Sequence, residues 1–397
     1  MKRITFLFFT LLVTSCTMEP TVKRLDNSSI SINELEIKIN QLMEEAKVTG
    51  LAMAIFNEHE IAYQNAFGYA NLENKSSLKT NQLFYGASLS KSVFGYLVAQ
   101  LVEEGILDLD KPLQQYLDQP LPEIPFAKDW RGFANLKEDK RYEQISARMC
   151  LNHSTGFPNW RWLSKEGEFT PEGKIHFLFD PGTRYNYSGE GMNLLQFVIE
   201  QITGVGLEQL AQERIFKPLQ MQNTSYVWQE KFENNYCNGH NKKQEVLPKD
   251  TEDEAGAAGS METSLEDYAL FMQTVLQQAK QDKPLIQQLF KPSIRIRSKM
   301  QFGPKAWEDG PQNDKIALGY GMGWGILNTP HGYGAFKEGH GEGFQHYSIL
   351  FPEKGIGVLL LSNSDNAESI FKELLEISIA DTYTPWEWEN YIPYNNF

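Results

Sequence analysis

The 397-residue chain is 41% hydrophobic, 22% charged and 12% aromatic, with 30 glycines and 18 prolines, a globular profile that excludes disorder, a collagen-like repeat and a coiled coil. A chain of this length buries a sizeable core in one large domain or two intimately packed ones, without disulfide staples. Its 37 Lys and Arg against 51 Asp and Glu leave a net charge of −14, so a phosphate backbone is repelled over most of the surface and nucleic acid is not an expected partner.

Lys2 and Arg3 precede an apolar run over residues 4–13, too short to cross roughly 30 Å of hydrocarbon and of the length of a signal-peptide core. The run closes on Val13-Thr14-Ser15-Cys16, which resembles the lipobox of bacterial lipoproteins. That implies loss of residues 1–15, lipidation of Cys16 and an exported protein facing the periplasm, with the membrane as a partner through acyl chains rather than a spanning helix. Residues 16–30 read as a tether, and no later run is long and apolar enough to span. Cys150 and Cys237 remain, and an exported protein can pair them or leave them free. The seven histidines show no HxH, HExxH or CxxC spacing, so no metal site and no cofactor are expected.

Ser31 caps an amphipathic helix with Ile32, Leu35, Ile39, Leu42, Met43 and Ala46 on one face, ended by Gly50. Residues 51–56 and 61–67 flank the polar Asn57-Glu58-His59-Glu60 as a β-hairpin. From Ser88, the positions Val93, Phe94, Leu97, Val98, Leu101 and Val102 recur at helical spacing up to the stop at Gly105. Residues 110–250 are richer in Pro, Trp and short polar stretches, with helices expected over 192–202 and 207–216. Strand patterns return over 319–326, then over 347–351 and 356–361 across the turn Pro352-Glu353-Lys354-Gly355, and residues 367–379 close as a helix. Strands at both ends around a helical middle predict an α+β fold. Residues 31–109 and 251–381 build one antiparallel sheet covered by helices, residues 110–250 are inserted as a mostly helical region, and 382–397 form a tail. A cleft between the two parts is the expected site.

Ser88-Leu89-Ser90-Lys91 is an S-x-x-K motif. Three residues make nearly one helical turn, which sets the Lys91 amine against the Ser88 hydroxyl, and a helix N-terminus stabilises a developing oxyanion. A second copy, Ser76-Ser77-Leu78-Lys79, lies in a polar stretch with no apolar face after it. Ser88 is therefore the candidate nucleophile and Lys91 its partner.

The segment Leu83-Phe84-Tyr85-Gly86-Ala87-Ser88-Leu89-Ser90-Lys91 resembles the nucleophile segment of the serine β-lactamase superfamily, in particular class C β-lactamases and their relatives among D-alanyl carboxypeptidases, D-amino acid peptidases and esterases. Further landmarks are similar: Gly105-Ile106-Leu107-Asp108-Leu109-Asp110-Lys111-Pro112, Leu151-Asn152-His153-Ser154-Thr155-Gly156-Phe157-Pro158, Pro181-Gly182-Thr183-Arg184-Tyr185-Asn186-Tyr187-Ser188, Ile215-Phe216-Lys217-Pro218-Leu219, Ala258-Gly259-Ser260-Met261 and Gly319-Tyr320-Gly321-Met322-Gly323-Trp324. The resemblance implies a β-lactamase/transpeptidase-like fold and a serine hydrolase that forms an acyl-enzyme on a β-lactam, a D-alanyl peptide or a small ester.

It also implies that Tyr187 relays the proton. A phenol of pKa about 10 needs neighbouring positive charge for that, expected from Lys91. Gly189 stands where the family usually has Asn, which removes an amide that would bind substrate and disfavours β-lactam recognition. Counting back from Gly343-Phe344 places Lys337-Glu338-Gly339 at the family's K-T-G, with His340-Gly341 as the rival register. Lys337 or His340 then lines the cleft, and Gly339 lets substrate approach the strand. Glu338 replaces a Thr or Ser; strand alternation turns it away from Lys337, and its charge disfavours anionic substrates. The oxyanion hole falls to the backbone N–H groups of Ser88 and His340. The alternative function is a catalytically silent, membrane-tethered ligand-binding lipoprotein, against which stand competent side chains at all three motifs. An α/β-hydrolase needs G-x-S-x-G, which Gly86-Ala87-Ser88-Leu89-Ser90 does not complete.

Overall fold

In the computed structural model, which describes residues 19–251 and 253–396, strands from opposite ends of the chain meet in the middle of one sheet. Residues 1–15 and Cys16, read as signal peptide and lipidation site, lie outside the described residues. The strands are β1 (Gly50–Asn57), β2 (Glu60–Asn71), β3 (Ser76–Ser77), β4 (Ile294–Arg295), β5 (Gly319–Tyr320), β6 (Gly325–Thr329), β7 (Gly332–Gly341), β8 (Phe344–Phe351) and β9 (Ile356–Ser362). They lie in the order β3-β2-β1-β9-β8-β7-β6-β5-β4, and β9 pairs antiparallel with β1 through Leu361↔Ala52 and Leu359↔Ala54.

Helices cover both faces, so the central strands are apolar throughout rather than alternating. The alternation survives in where the side chains go. Leu51, Met53 and Ile55 pack with Leu35, Ile39 and Met43 of helix α1 (Ile32–Ala46) and with residues 371–379, whereas Ala52, Ala54 and Phe56 pack with helix α2 (Ser90–Glu103) and residues 265–280. The architecture is α+β. Residues 110–250 hold the short helix Ala147–Leu151, helix α3 (Gly189–Thr203) and Leu207–Ala211, the last prolonged by a π turn to Phe216, with 3₁₀ turns between.

Several boundaries differ from the sequence reading. The Ser31 hydroxyl accepts from the Glu34 N–H at 3.2 Å as expected of a cap, but α1 stops at Lys47 in the left-handed region, and Gly50 already belongs to β1. The β1–β2 turn places Glu58 and His59 at φ 54° and 71°, a geometry usually given to Asn-Gly. It holds because His59 is tied to the other hairpin: its N–H donates to the Gly355 carbonyl at 3.0 Å and its Nε2 lies 3.0 Å from the Pro352 carbonyl. Strand β7 escaped the sequence pattern because Gly332, Gly334, Gly339 and Gly341 interrupt it. Within the stretch read as a tail, residues 382–396 pack against the body: Trp386 and Trp388 are buried, the Tyr347 hydroxyl donates to Glu389 at 3.0 Å, and the Gln301 N–H donates to the Trp388 carbonyl at 2.7 Å. Cys150 and Cys237 are both free and buried. Among the described residues no helix is long and apolar enough to cross a membrane.

Within the inserted region a buried ion pair ties the loop at Arg161 to α3. Arg161 and Glu190, each 4% exposed, meet at 2.7 Å, and Arg161 also donates to the Gly132 carbonyl at 2.9 Å. Arg161→Ala strands the buried Glu190 carboxylate three residues from Tyr187, so urea unfolding is expected to show a loss of about 3–5 kcal/mol. A loss below about 1 kcal/mol would mean that the pair contributes no more than a surface one.

Candidate active site

The segment that carries Ser88 is a strained turn and not the first turn of a helix. A short strand, Leu83–Tyr85, leads into a 3₁₀ turn over Ala87–Leu89, and α2 begins only at Ser90. Ala87 sits at φ 46°, a conformation that a residue with a Cβ holds only when its surroundings over-determine it. Here they do: the Gly86 N–H donates to the Met261 carbonyl at 2.7 Å, the Ser90 hydroxyl donates to the Ala87 carbonyl at 2.6 Å, and the Tyr226 hydroxyl donates to the Ser90 carbonyl at 2.8 Å. The turn leaves Ser88 half-buried, while Ser76 and Lys79 of the second copy are exposed at the edge strand β3.

Lys91, the second residue of α2, is 2% exposed, and its Nζ lies 3.0 Å from Ser88 Oγ and within hydrogen-bond reach of the Ala258 carbonyl. Lys337 on β7 approaches from the other side. The two ammonium positions lie 4.9 Å and 5.0 Å from the centroid of the Tyr187 ring. Tyr187 stands immediately before Ser188, the N-cap of α3, whose hydroxyl accepts from the Gly191 N–H at 3.0 Å and donates to the Pro158 carbonyl at 3.0 Å. The cap fixes the chain direction at Tyr187, and the buried phenol points toward Ser88 and Lys337. Among the described residues it forms no well-aligned hydrogen bond. Such an unsatisfied buried hydroxyl is costly unless function uses it.

The two lysines titrate in opposite directions. Lys91 has no carboxylate partner, so burial, reinforced by repulsion from Lys337, drives its pKa well below the ordinary lysine range. Lys337 is as deeply buried, but Glu338 lies 3.0 Å away and with Tyr187 outweighs the burial, raising its pKa. Lys91 is thus disposed to be a neutral amine and Lys337 an ammonium. Burial, the largest influence on Tyr187, raises its pKa despite Lys337, so the phenol rests protonated. This corrects the expectation that Lys91 supplies the positive charge beside Tyr187; Lys337 does.

Lys337, and not His340, faces Tyr187. The His340 side chain is exposed and lies 3.4 Å from Glu368. Glu338 does not turn away from Lys337: it pairs with it and accepts from Gln301 Nε2 at 2.8 Å. Gly339 is required by close approach, since a Cβ there would lie 3.0 Å from both the Gly86 carbonyl and the His346 ring; β7 therefore lies directly against the Ser88 turn. Gly189 is buried beneath Asn159, whose carbonyl would be 2.7 Å from an added Cβ and whose Oδ1 accepts the Gly189 N–H at 3.0 Å. The exposed surface at that point belongs to Asn159.

The Beta-lactamase family profile matches residues 35–379. The chain belongs to the Beta-lactamase family. It is similar to a Beta-lactamase of Escherichia coli K12, at 25% identity over 82% of this chain and 87% of that one, and to Esterase EstB of Burkholderia gladioli, at 24% identity over 54% and 56%. The octameric penicillin-binding protein homologue from Pyrococcus abyssi shares the fold, with a TM-score of 0.69 and 23% identity over 90% of this chain and 80% of that one. The family is one of serine hydrolases.

Within this Beta-lactamase-family site, sequence reasoning gave no role to His153 or Ala258. His153 is fully buried with its ring 4.3 Å from that of Tyr187, and its Nδ1 accepts the Ser188 N–H at 3.2 Å. Burial, then Lys91 and Lys337, hold its pKa well below the usual histidine value, so it braces Tyr187 as a neutral ring. Its place in Asn152-His153-Ser154 was a usable signal. Ala258 acts through a backbone carbonyl, which no side-chain pattern announces.

Proposed function

We propose that this chain is an exported serine hydrolase, related to class C β-lactamases, that works through an acyl-enzyme on an ester or amide lacking a carboxylate, in preference to β-lactams or D-alanyl peptides. The observation that carries the reading is the placing of two lysines around Tyr187: Lys91 Nζ lies 3.0 Å from Ser88 Oγ, and Lys337 is already matched by Glu338 at 3.0 Å. The first distance is that of a nucleophile and its base. Ser88 Oγ attacks the carbonyl carbon and its proton passes to Lys91 Nζ, while the Ser88 and His340 N–H groups hold the oxyanion. As the ester or amide bond breaks, the Tyr187 hydroxyl gives its proton to the leaving group and regains one from Lys91, with Lys337 stabilising the transient phenolate. Water then attacks the acyl carbon and gives a proton to Lys91, and that proton passes to Ser88 Oγ as the acyl–Ser88 bond breaks and the acid leaves.

A free Lys337 would attract a substrate carboxylate by about 4 kcal/mol at 4 Å and an effective dielectric of 20, and Glu338 cancels most of that field. The likeness to an esterase supports the ester reading. The purified protein is expected to turn over a short-chain nitrophenyl ester faster than a chromogenic cephalosporin or a D-alanyl dipeptide. Glu338→Thr should raise cephalosporin turnover relative to the ester by about tenfold. Wild-type turnover of the cephalosporin that matches the ester's, or a Glu338→Thr ratio that stays put, would remove Glu338 as the reason for the preference.

The same reading makes Cys16 the acylated N-terminus of a lipoprotein facing the periplasm. Cys16→Ser is expected to release the protein from membranes, because the apolar run before it cannot anchor the chain unaided. A variant that stays wholly with membranes through a high-salt wash rejects the anchor.

A further inference from the structure

Beside Tyr187 the cleft opens into a cavity of about 90 Å³, walled by residues of two loops, 158–167 and 301–307, that come from the inserted region and from the sheet side. Pro158, Leu163, Leu178, Phe302, Ala306 and Trp307 give it apolar walls, and the Phe302 ring meets the Tyr187 ring edge-on at 5.6 Å. Three of its polar neighbours are already engaged: Gln301 donates to Glu338, Ser164 donates to Glu166 at 3.1 Å, and Lys165 lies over the Trp307 ring at 4.7 Å. The Trp307 indole fastens the two loops to each other by donating to the Lys165 carbonyl at 3.0 Å, and Arg184, from a third segment, holds the Ala306 carbonyl at 3.1 Å. The cavity is therefore preformed. A single water needs only about 10–15 Å³ of such space, so the cavity takes several waters or one short alkyl chain or ring. Waters there find few free polar partners, which favours their displacement by an apolar group.

We infer that this cavity is the specificity pocket of the enzyme, and that it holds an apolar substituent of the substrate, a short alkyl chain or a single ring, next to the scissile carbonyl. The inference rests on the serine-hydrolase reading of Ser88 and names the substrate class for it. Leu163 is the residue through which it acts, because it lines the cavity and touches none of the reacting groups. Nitrophenyl esters from acetate to hexanoate, and acetate esters of alcohols from methanol to hexanol, give two arms that identify whether the acyl or the alcohol group enters.

In one arm kcat/KM is expected to rise about fourfold per added methylene until the cavity is full. Leu163→Trp, which fills it, should abolish that rise, so that the ratio of hexanoate to acetate kcat/KM falls to about one. Leu163→Ala, which enlarges it, should shift the optimum to longer chains. Chain-length profiles that both Leu163 variants leave unchanged, with acetate still hydrolysed, would overturn the pocket and spare the hydrolase. If wild type hydrolyses no ester, the hydrolase reading fails instead, and binding then decides the pocket: Ser88→Ala protein should bind nitrophenyl hexanoate at least tenfold more tightly than the acetate, a difference lost on adding Leu163→Trp. Equal binding of the two esters would overturn it.

Discussion

Ser88→Ala is expected to lower turnover of every accepted ester by at least about 10⁴-fold while the fold persists, because no other group can form the acyl bond. The chain offers its own control in the second S-x-x-K copy. Ser88 is held half-buried on the strained turn with Lys91 Nζ 3.0 Å away, whereas Ser76 is exposed on an edge strand and its N–H is turned into a local bond to Asn74 at 2.9 Å. A fluorophosphonate should therefore label Ser88, fail on Ser88→Ala and persist on Ser76→Ala, with the modified peptide located by mass spectrometry. Label that moves to another serine in Ser88→Ala would reassign the nucleophile. A folded wild-type protein that takes no label would favour the silent, ligand-binding alternative.

Lys91→Met and Tyr187→Phe should each cut kcat by at least about 100-fold, and the double variant should lose little more than the worse single one, because the two groups pass one proton between them. The pH behaviour separates their parts. Lys91 must be unprotonated to accept the Ser88 proton, and burial lowers its pKa, so kcat/KM should rise with pH along a limb that lies below the ordinary lysine range. Tyr187→Phe keeps this limb at reduced height and Lys91→Met removes it. Stability follows the same group. Between the lowered folded pKa and the unfolded value of about 10.5, the unfolded chain holds a proton that the folded chain lacks, so unfolding free energy rises with pH across that window. Lys91→Met should flatten the rise. A Tyr187→Phe enzyme with near-normal turnover would take Tyr187 out of the mechanism.

Much of this site can be read in the order of residues, because its core is local. Ser88 and Lys91 are three residues apart, a spacing that brings them to one side of a helical turn, and Ser188 caps α3 directly after Tyr187 by a bond within three residues. The α+β class and the pairing of two ends of the chain follow from apolar runs that only a sheet covered on both faces can bury. What needed the folded chain was everything decided by which groups come close across long separations. The approach of Lys337 to Tyr187, the turn of the adjacent Glu338 toward it, the lowered pKa of the equally buried Lys91 and the protonated resting state of Tyr187 depend on desolvation and, for Lys91 and Tyr187, on a charge far along the chain. A lysine's letter is the same whether or not a carboxylate lies 3.0 Å from its amine. With burial equal, that carboxylate decides how firmly the amine keeps its proton, which here separates the base from the electrostatic partner.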